Sequence, residues 1–205
     1  MTQKQIEFYL DFSSPYAYIA SGIIDEFAEK HDAAVIWRPF VLGAVFKDEG
    51  NKPLLEYPKK GAYAKCDIPR CAQFYKVPYH HPTLFPVSTI SGLRAHYGIE
   101  LEHGADAAKI FAKALYAAYF IHNRNISDKD IVLQIGAEVG YDSKWLDQQL
   151  QSAPAKDRLR AITDDAMNRG VFGAPYFFIN GEPFWGVDRL PMMAHYLKKG
   201  TWSDA

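Results

Sequence analysis

Short stretches near both ends of the chain have the apolar pattern of strands, and most of the chain between them follows a helical period. Segment 5–11 is rich in β-forming residues and partly alternates between apolar and polar, which predicts a strand. Ser14 and Pro15 suit the start of a helix, and apolar residues then recur at helical spacing to about Glu29. Segment 34–39 predicts a second strand. This order of elements predicts a parallel βαβ unit.

The middle of the chain begins with an irregular stretch and continues with helical periodicity. Residues 41–60 have no clear period and contain several glycines and prolines, which predicts a long loop of the kind that carries function. Residues 61–168 predict a block of helices, the first of which Pro69 could interrupt. The predicted helices cover residues 61–75, 88–98, 105–121, 128–138, 143–150 and 155–168.

Strand signals return close to the C-terminus. Segments 176–179 and 183–185 predict two strands, joined by Asn180-Gly181, a strong signal for a tight hairpin turn. Asp188 is placed to cap a last helix that runs to about Lys198, with Gly200 just past its end. The predicted order is therefore β-α-β, a helical block, and α-β-β-α, which indicates an α/β fold with a helical insert.

Composition and charge exclude several classes of function. The chain has 205 residues, of which 48% are apolar, enough to bury the core of one domain with or without an insert. Its formal charge of −1 comes from interspersed acidic and basic residues, so no extended field would attract nucleic acid or a membrane surface. No apolar run suits a membrane span, and the polar first residues do not resemble a signal peptide. We therefore expect a cytoplasmic protein that binds neither nucleic acid nor a membrane.

The cysteines and histidines give little indication of redox or metal chemistry. Cys66 and Cys71 are five residues apart, which on a helix points their side chains about 140° away from each other. We interpret them as two separate free thiols in a reducing compartment rather than as a redox or metal pair. The seven histidines have no ligand spacing such as His-Glu-x-x-His, so no metal site is predicted.

Two segments far apart in the sequence are similar to the frame of a thioredoxin-like active site. A strand leads through a sharp turn into the helix that opens with Ser14-Pro15, and Ala174-Pro175 precedes a later strand, as the cis-proline does in that fold. A disulfide oxidoreductase would have Cys-x-x-Cys at the start of the first helix. With neither cysteine present, disulfide exchange is disfavoured and the reactive thiol must come from elsewhere. The four residues at these positions are Ser14-Pro15-Tyr16-Ala17.

Nearly the whole chain resembles one branch of the DsbA-like family, which holds the 2-hydroxychromene-2-carboxylate isomerases and the kappa-class glutathione transferases. Each motif is weak alone, but their common order and spacing make the resemblance specific. It implies a thioredoxin-like α/β fold with an all-helical insert domain. Residues 1–60 and 169–205 would form the thioredoxin-like domain and residues 61–168 the insert. The motifs lie at residues 11–16, 50–53, 58–61, 67–78, 171–175 and 185–190.

The resemblance implies a glutathione site, one part of which lies at the first helix and in the long loop. The family's serine before proline matches Ser14, whose hydroxyl would donate to the sulfur while the helix start favours a thiolate. The family's loop asparagine and lysine match Asn51 and Lys60, which suit the peptide amides and the glycyl carboxylate of glutathione. Taken alone, Ser14 would be a plain N-cap and Lys60 a solvated charge.

The other part of the implied site lies near the C-terminus. Ala174 precedes the expected cis-proline, Pro175, and its backbone would bind the cysteinyl part of glutathione as a neighbouring strand would. Asp188, at the start of the last helix, would face the α-amine. Kappa transferases often have Ser where this chain has Val187 and the isomerases do not, which favours the isomerase branch.

The function that the resemblance implies is glutathione-dependent isomerisation of 2-hydroxychromene-2-carboxylate or a similar aromatic keto acid. A kappa-like transferase that retains the glutathione adduct stays open, as does a non-catalytic glutathione-binding module. The resemblance also implies a homodimer that binds glutathione and a small aromatic substrate. Most aromatic side chains belong to cores, but several could line the substrate pocket. These are Phe12, Tyr16, Tyr18, Phe46, Phe85 and Trp185.

Overall fold

The computed structural model describes residues 3–202, which contain four strands and nine α-helices. The strands are β1 (Lys4–Leu10), β2 (Ala33–Pro39), β3 (Tyr176–Ile179) and β4 (Glu182–Trp185). The helices are α1 (Pro15–Ser21), α2 (Ile24–Glu29), α3 (Leu42–Asp48), α4 (Pro58–Phe74), α5 (Ile90–Phe120), α6 (Lys129–Glu138), α7 (Ser143–Gln151), α8 (Ala153–Asn168) and α9 (Leu190–Lys199). Two 3-10 helices cover Leu54–Glu56 and Val187–Arg189.

The strands form one mixed sheet in the order β2-β1-β3-β4. β1 and β2 are parallel, with Phe8 opposite Trp37, which confirms the predicted βαβ unit. β3 runs antiparallel to β1, with Phe8 opposite Phe177, and β4 runs antiparallel to β3. Asn180 and Gly181 have φ angles of 53° and 84° at the turn between β3 and β4, the positive values that a tight hairpin of this type requires.

Helices cover both faces of β1, because consecutive side chains on opposite faces of the strand are fully buried. Phe8, Tyr9 and Leu10 are each 0% exposed. Phe8 stacks on Phe177 with ring centroids 5.1 Å apart, while Tyr9, on the other face, contacts the ring of Phe40. Removing such side chains from water stabilises the fold by roughly 1.5–3 kcal/mol each. The C-terminal end of β1 therefore leads from a rigid core directly into the turn before α1.

The predicted helical block is present, with α5 at its centre in contact with α6, α7 and α8. The two helices predicted on either side of Gly104 are present and together make up α5, which is kinked at Gly104 because this residue has non-helical angles of φ 84° and ψ 171°. Glycines allow close helix packing, since a Cβ on Gly136 would lie 2.2 Å from Leu146. The division into a thioredoxin-like domain and an insert remains a prediction, and its limits at residues 1 and 205 lie outside the described residues.

The structure corrects the predicted helix that follows Ser14. Residues 15–29 form two helices rather than one, because Ile23 leaves the helical region with φ at −127° directly after Gly22, a poor helix former. The prediction that Pro69 could interrupt the first helix of the block is wrong, since α4 continues through this residue.

The segment predicted as a loop over residues 41–60 is largely helical. It contains α3, a 3-10 helix and the first residues of α4. The start of α3 is held from outside the segment, because the Leu42 N–H donates to the Asp11 carboxylate at 3.0 Å. The hydrophobic periodicity of residues 41–60 cannot show a contact with a distant residue, which is why it predicted a loop. Across residues 3–202, none of the helices is both long and apolar enough to span a membrane.

Candidate active site

The turn between β1 and α1 places Ser14 at the N-cap of α1. The residue is extended, with φ −85° and ψ 115°, and its side chain accepts a hydrogen bond from the Ala17 N–H at 3.2 Å. The hydroxyl also donates to the Ala174 carbonyl at 2.8 Å. Ser14 is only 6% exposed. The structure therefore brings together the serine and the proline loop that were expected to face each other.

A buried carboxylate, Asp11, holds this turn in place. It accepts hydrogen bonds from the Ser13 N–H at 2.8 Å and the Ser13 hydroxyl at 2.7 Å. It also accepts from the Leu42 N–H at 3.0 Å and from the Thr89 hydroxyl at 3.1 Å. Burial raises the pKa of Asp11, and these hydrogen bonds oppose the rise. Asp11 thus ties the turn before Ser14 to the starts of α3 and α5. Sequence reasoning used it only as part of a motif.

The Ala174–Pro175 loop lies against Ser14 and is bordered by exposed aromatic rings. Its peptide bond is cis, which confirms the prediction, and the Pro175 carbonyl accepts from the Gly186 N–H at 3.1 Å. The indole of Trp185 packs on Gly173 so closely that a Cβ there would lie 2.6 Å from Nε1. Trp185 is 54% exposed, and its ring meets that of Phe172 at 4.8 Å. An apolar surface therefore begins next to the loop.

The prediction that Asp188 caps the last helix is wrong. Asp188 lies within the 3-10 helix, and α9 begins at Leu190 with Arg189 as its N-cap and no side-chain capping bond. The reason is Gly186, whose φ of 102° turns the chain into this 3-10 helix before α9 can start. The 3-10 helix contacts α1, and the Asp188 carboxylate is 69% exposed, 3.4 Å from the Arg189 guanidinium. Its carboxylate is thus accessible to a ligand on the α1 side.

Helix α4 packs beside α1 and completes one wall of the site. The Tyr16 hydroxyl donates to one oxygen of Asp67 at 2.8 Å, and the Tyr63 hydroxyl donates to the other at 3.0 Å. Tyr75, the residue directly after α4, donates its hydroxyl to the carbonyl of the buried Val187 at 3.2 Å. These hydrogen bonds join α1, α4 and the 3-10 helix that carries Asp188.

The two cysteines lie on α4 and both are free thiols, as predicted. Cys66 is exposed, whereas Cys71 is half-buried. Burial, together with the carboxylates of Asp67 and Asp188, raises the pKa of Cys71 to about 11. Its thiol therefore stays protonated near neutral pH and is a poor nucleophile.

The side chains of Asn51 and Lys60 are exposed and lie around the ring of Tyr57. The Tyr57 hydroxyl donates to the Asn51 side chain at 3.4 Å, and the Lys60 ammonium is 5.0 Å from the ring centroid. Lys60 belongs to the first turn of α4 rather than to a loop, which corrects its predicted setting. The preceding 3-10 helix packs closely on α4, since a Cβ on Gly61 would lie 2.7 Å from the Leu55 carbonyl oxygen.

The six aromatic residues considered for the substrate pocket fall into two groups. Phe12 is fully buried with its ring 5.1 Å from Tyr116, and Tyr18 stacks on Phe120, so both belong to the core and are not pocket walls. The other four keep accessible surface. These are Tyr16, Phe46 and Phe85, which are half-buried, and Trp185.

Two further observations concern regions outside the candidate site and metal ligands. A concavity of about 410 Å³ borders Lys4 and His195, at the end of β1 opposite to Ser14, and it does not belong to the candidate site. Among residues 3–202, no three His, Cys, Asp or Glu side chains are grouped so that they could hold a metal ion.

Comparisons with known proteins agree with the thioredoxin-like fold. Residues 5–198 match the family model of the DSBA-like thioredoxin domain. The chain is 30% identical over 196 residues to the 2-hydroxychromene-2-carboxylate isomerase of Sphingobium xenophagum, which covers 95% of this chain and 98% of that protein. It is 24% identical over 206 residues to glutathione S-transferase kappa 1 of Homo sapiens, which covers 95% and 91%. A solved structure of 2-hydroxychromene-2-carboxylate isomerase is similar with a TM-score of 0.82 and 25% identity, over 95% of each chain.

Proposed function

Because the chain belongs to the DSBA-like thioredoxin family, in the branch of the 2-hydroxychromene-2-carboxylate isomerases and kappa-class glutathione transferases, we propose that it is a glutathione-dependent isomerase of 2-hydroxychromene-2-carboxylate or similar aromatic keto acids. The observation that carries the proposal is the hydrogen bond from Ser14 to Ala174, at the position where related oxidoreductases hold a reactive cysteine. A serine there supports chemistry in which the ligand brings the thiol.

Ser14 is proposed to activate the glutathione thiol by donating a hydrogen bond to the thiolate. A free thiol has a pKa of roughly 8.5, and lowering it by about two units takes ~2.7 kcal/mol of preference for the thiolate. A hydrogen bond to a charged group contributes roughly 1.5–3 kcal/mol. Because α1 has only seven residues, we assign most of the effect to the hydroxyl and little to the helix dipole.

The remaining glutathione contacts are proposed from the family positions. The Ala174 backbone, in the loop with Pro175, would bind the cysteinyl part, and Asp188 would bind the α-amine. Lys60 and Asn51 would bind the glycyl carboxylate and the peptide amides. The exposed carboxylate of Asp188 and the exposed ammonium of Lys60 support these roles, since both charges can reach a ligand. Val187 is buried and offers no side-chain hydrogen bond, unlike the serine that is frequent in kappa transferases.

In the proposed reaction glutathione acts as a cosubstrate that is returned. The thiolate sulfur forms a bond to a carbon of the conjugated system, so that a double bond becomes single. Rotation about that bond and cleavage of the carbon–sulfur bond then yield the isomer and the same thiolate. The half-buried and exposed rings near the site, including Tyr16 and Trp185, would hold the aromatic part of the substrate.

The stoichiometry of glutathione tests this proposal against its alternatives. The enzyme is given substrate in about a hundredfold excess over glutathione, and both product and free thiol are followed. Product well beyond the amount of glutathione, with the thiol conserved, is the expected result. Loss of one glutathione per product would make the protein a transferase. Glutathione binding with no turnover of chromene carboxylates or of electrophilic transferase substrates would make it a binding module. Sedimentation of the same protein tests the expected homodimer.

A further inference from the structure

The hydroxyl of Ser14 has a single hydrogen, and this hydrogen is already engaged in a hydrogen bond. The hydrogen is donated to the Ala174 carbonyl at 2.8 Å, while the oxygen accepts from the Ala17 N–H at 3.2 Å. A serine hydroxyl is one donor, so Ser14 cannot donate to a thiolate while it donates to Ala174. The oxygen of Ala174 has two lone pairs and could accept twice, but Ser14 cannot donate twice. A thiolate that binds Ser14 must therefore take the hydrogen away from Ala174.

Removing that hydrogen leaves the Ala174 carbonyl without its donor. Ala174 is half-buried and lies beside the buried Ser14 and Pro175, so water can replace the lost donor only in part. A half-buried acceptor that loses its partner offsets much of the free energy that the new hydrogen bond to sulfur provides. The exchange becomes favourable only when the incoming thiol also brings a donor for Ala174.

A cysteinyl residue can provide both the sulfur for Ser14 and the donor for Ala174. Only Cα and Cβ separate its amide nitrogen from its sulfur. The N–H would donate to the Ala174 carbonyl oxygen and the sulfur would accept from Ser14 Oγ, and these two protein atoms are 2.8 Å apart. One cysteinyl residue can thus place sulfur at the Ser14 hydroxyl and its amide N–H at the Ala174 carbonyl. A simple thiol can provide the sulfur alone.

We propose that the Ser14–Ala174 hydrogen bond selects the thiol to be activated. The hydroxyl hydrogen moves from Ala174 to sulfur only when a cysteinyl amide N–H replaces it on the carbonyl. Cysteinyl peptides with this N–H, glutathione among them, bind as thiolates, whereas thiols without it bind without a lowered pKa. This inference rests on the proposed function, because it assumes that a glutathione-like thiol occupies the site.

The test uses glutathione and two analogues that differ by one methyl group. In the first analogue the cysteinyl nitrogen is methylated, which removes the N–H that would meet Ala174. In the second, sarcosine replaces glycine, which leaves that N–H and adds a methyl group elsewhere. The ultraviolet absorbance of the bound thiolate is titrated against pH for the wild-type protein, for Ser14→Ala and for the control Ser21→Ala. Ser21 is also a buried serine on α1, and its hydroxyl donates to the Tyr18 carbonyl at 2.6 Å.

With glutathione and the sarcosine analogue, Ser14→Ala should raise the pKa of the bound thiol by about one to two units, the effect of one charge-assisted hydrogen bond. With the cysteinyl N-methyl analogue, the wild-type protein should already show the higher pKa, and Ser14→Ala should add nothing measurable. Ser21→Ala should change none of the three titrations. An equal dependence on Ser14 for all three ligands would overturn the inference.

A second pair of thiols covers the case in which the N-methyl analogue does not bind. N-acetylcysteine has the amide N–H and 3-mercaptopropionate lacks it, and both are small enough to be used at saturating concentration. Only N-acetylcysteine should show a pKa that depends on Ser14; the same dependence for both thiols contradicts the inference. Turnover of substrate with glutathione is measured in parallel. If the wild-type protein turns over substrate but the titrations contradict the expected dependence on Ser14, only the inference is wrong. If the wild-type protein shows no turnover, the proposed function is wrong.

Discussion

The two sides of the candidate site differ in how firmly the rest of the protein holds them. Ser14 is 6% exposed, is bonded to Ala174 at 2.8 Å, and follows a turn that Asp11 ties to two helices. The side chains of Asn51 and Lys60, which are proposed to form the other side, are exposed and lie around Tyr57, whose hydroxyl donates to Asn51 at 3.4 Å. The group proposed to act on sulfur is thus part of the core, and the groups proposed to bind the rest of glutathione are not. Substitutions on the first side should affect folding and turnover together, and those on the second should affect affinity alone.

Asp11→Asn should have the largest effect and tests whether the inner side depends on the core. The amide keeps one acceptor oxygen but turns an NH2 group toward donors, so buried N–H and O–H groups lose their partner. We expect the free energy of unfolding to fall by roughly 3 kcal/mol, measured by urea denaturation. The control Asp188→Asn, at an exposed carboxylate, should change it by less than about 0.5 kcal/mol. Equal stability of the two variants would contradict the role given to Asp11.

Ser14→Ala should lower both turnover and stability on the same side, by amounts that can be measured separately. Loss of the hydrogen bond to the thiolate should lower kcat by about 10- to 100-fold, because each 1.36 kcal/mol is worth a factor of ten. Loss of the N-cap and of the donor to the Ala174 carbonyl should lower the free energy of unfolding by roughly 2 kcal/mol. The measurement is steady-state isomerisation at saturating glutathione, beside urea denaturation. The control Ser21→Ala should keep kcat within about twofold, and a similar loss in both variants would mean that the fold of α1 rather than the hydroxyl is responsible.

Lys60→Ala and Asn51→Ala test the exposed side. These residues are proposed to meet parts of glutathione that do not react, so their contacts contribute equally in the ground state and the transition state. Each substitution should raise the KM for glutathione by about 5- to 10-fold and keep kcat within about twofold, the size of one partly solvated contact. Lys59→Ala, in the same turn of α4, is the matched control and should change neither value. A fall in kcat as large as the rise in KM would contradict the claim that Lys60 and Asn51 affect glutathione affinity alone.

The smallest effect on turnover is expected for the cysteines of α4. Their rates of alkylation compare an exposed thiol with a half-buried one. At neutral pH iodoacetamide should label the exposed Cys66 well before the half-buried Cys71. Because the pKa of Cys71 is raised to about 11, its labelling rate should rise about tenfold per pH unit until the pH approaches that value. Mass spectrometry of the labelled peptides follows both sites. Cys71→Ala should keep kcat within about twofold, and a large loss would mean that the protein supplies a thiol of its own.

Elements with strong local signals were predicted well, and elements held by distant contacts were not. The strands and the hairpin at Asn180-Gly181 match, because alternation and turn chemistry depend only on neighbouring residues. α3 was missed because the contact of Leu42 with Asp11 joins residues 31 positions apart. The prediction that Asp188 caps the last helix was wrong because Gly186 has a positive φ and a 3-10 helix follows it. The sequence of side chains does not show this φ angle.

The sequence by itself determined that the frame of a thioredoxin-like fold is present and that this chain has no cysteine at the start of its first helix. These conclusions follow from Ser14-Pro15, Ala174-Pro175 and their order along the chain, which are local and can be read directly. Only the tertiary structure decided that the Ser14 hydroxyl donates to Ala174, 160 residues away, and that Asp11 collects donors from three parts of the chain. A hydroxyl can donate to any acceptor within reach, so its partner depends on how the whole fold packs and not on the residues beside it.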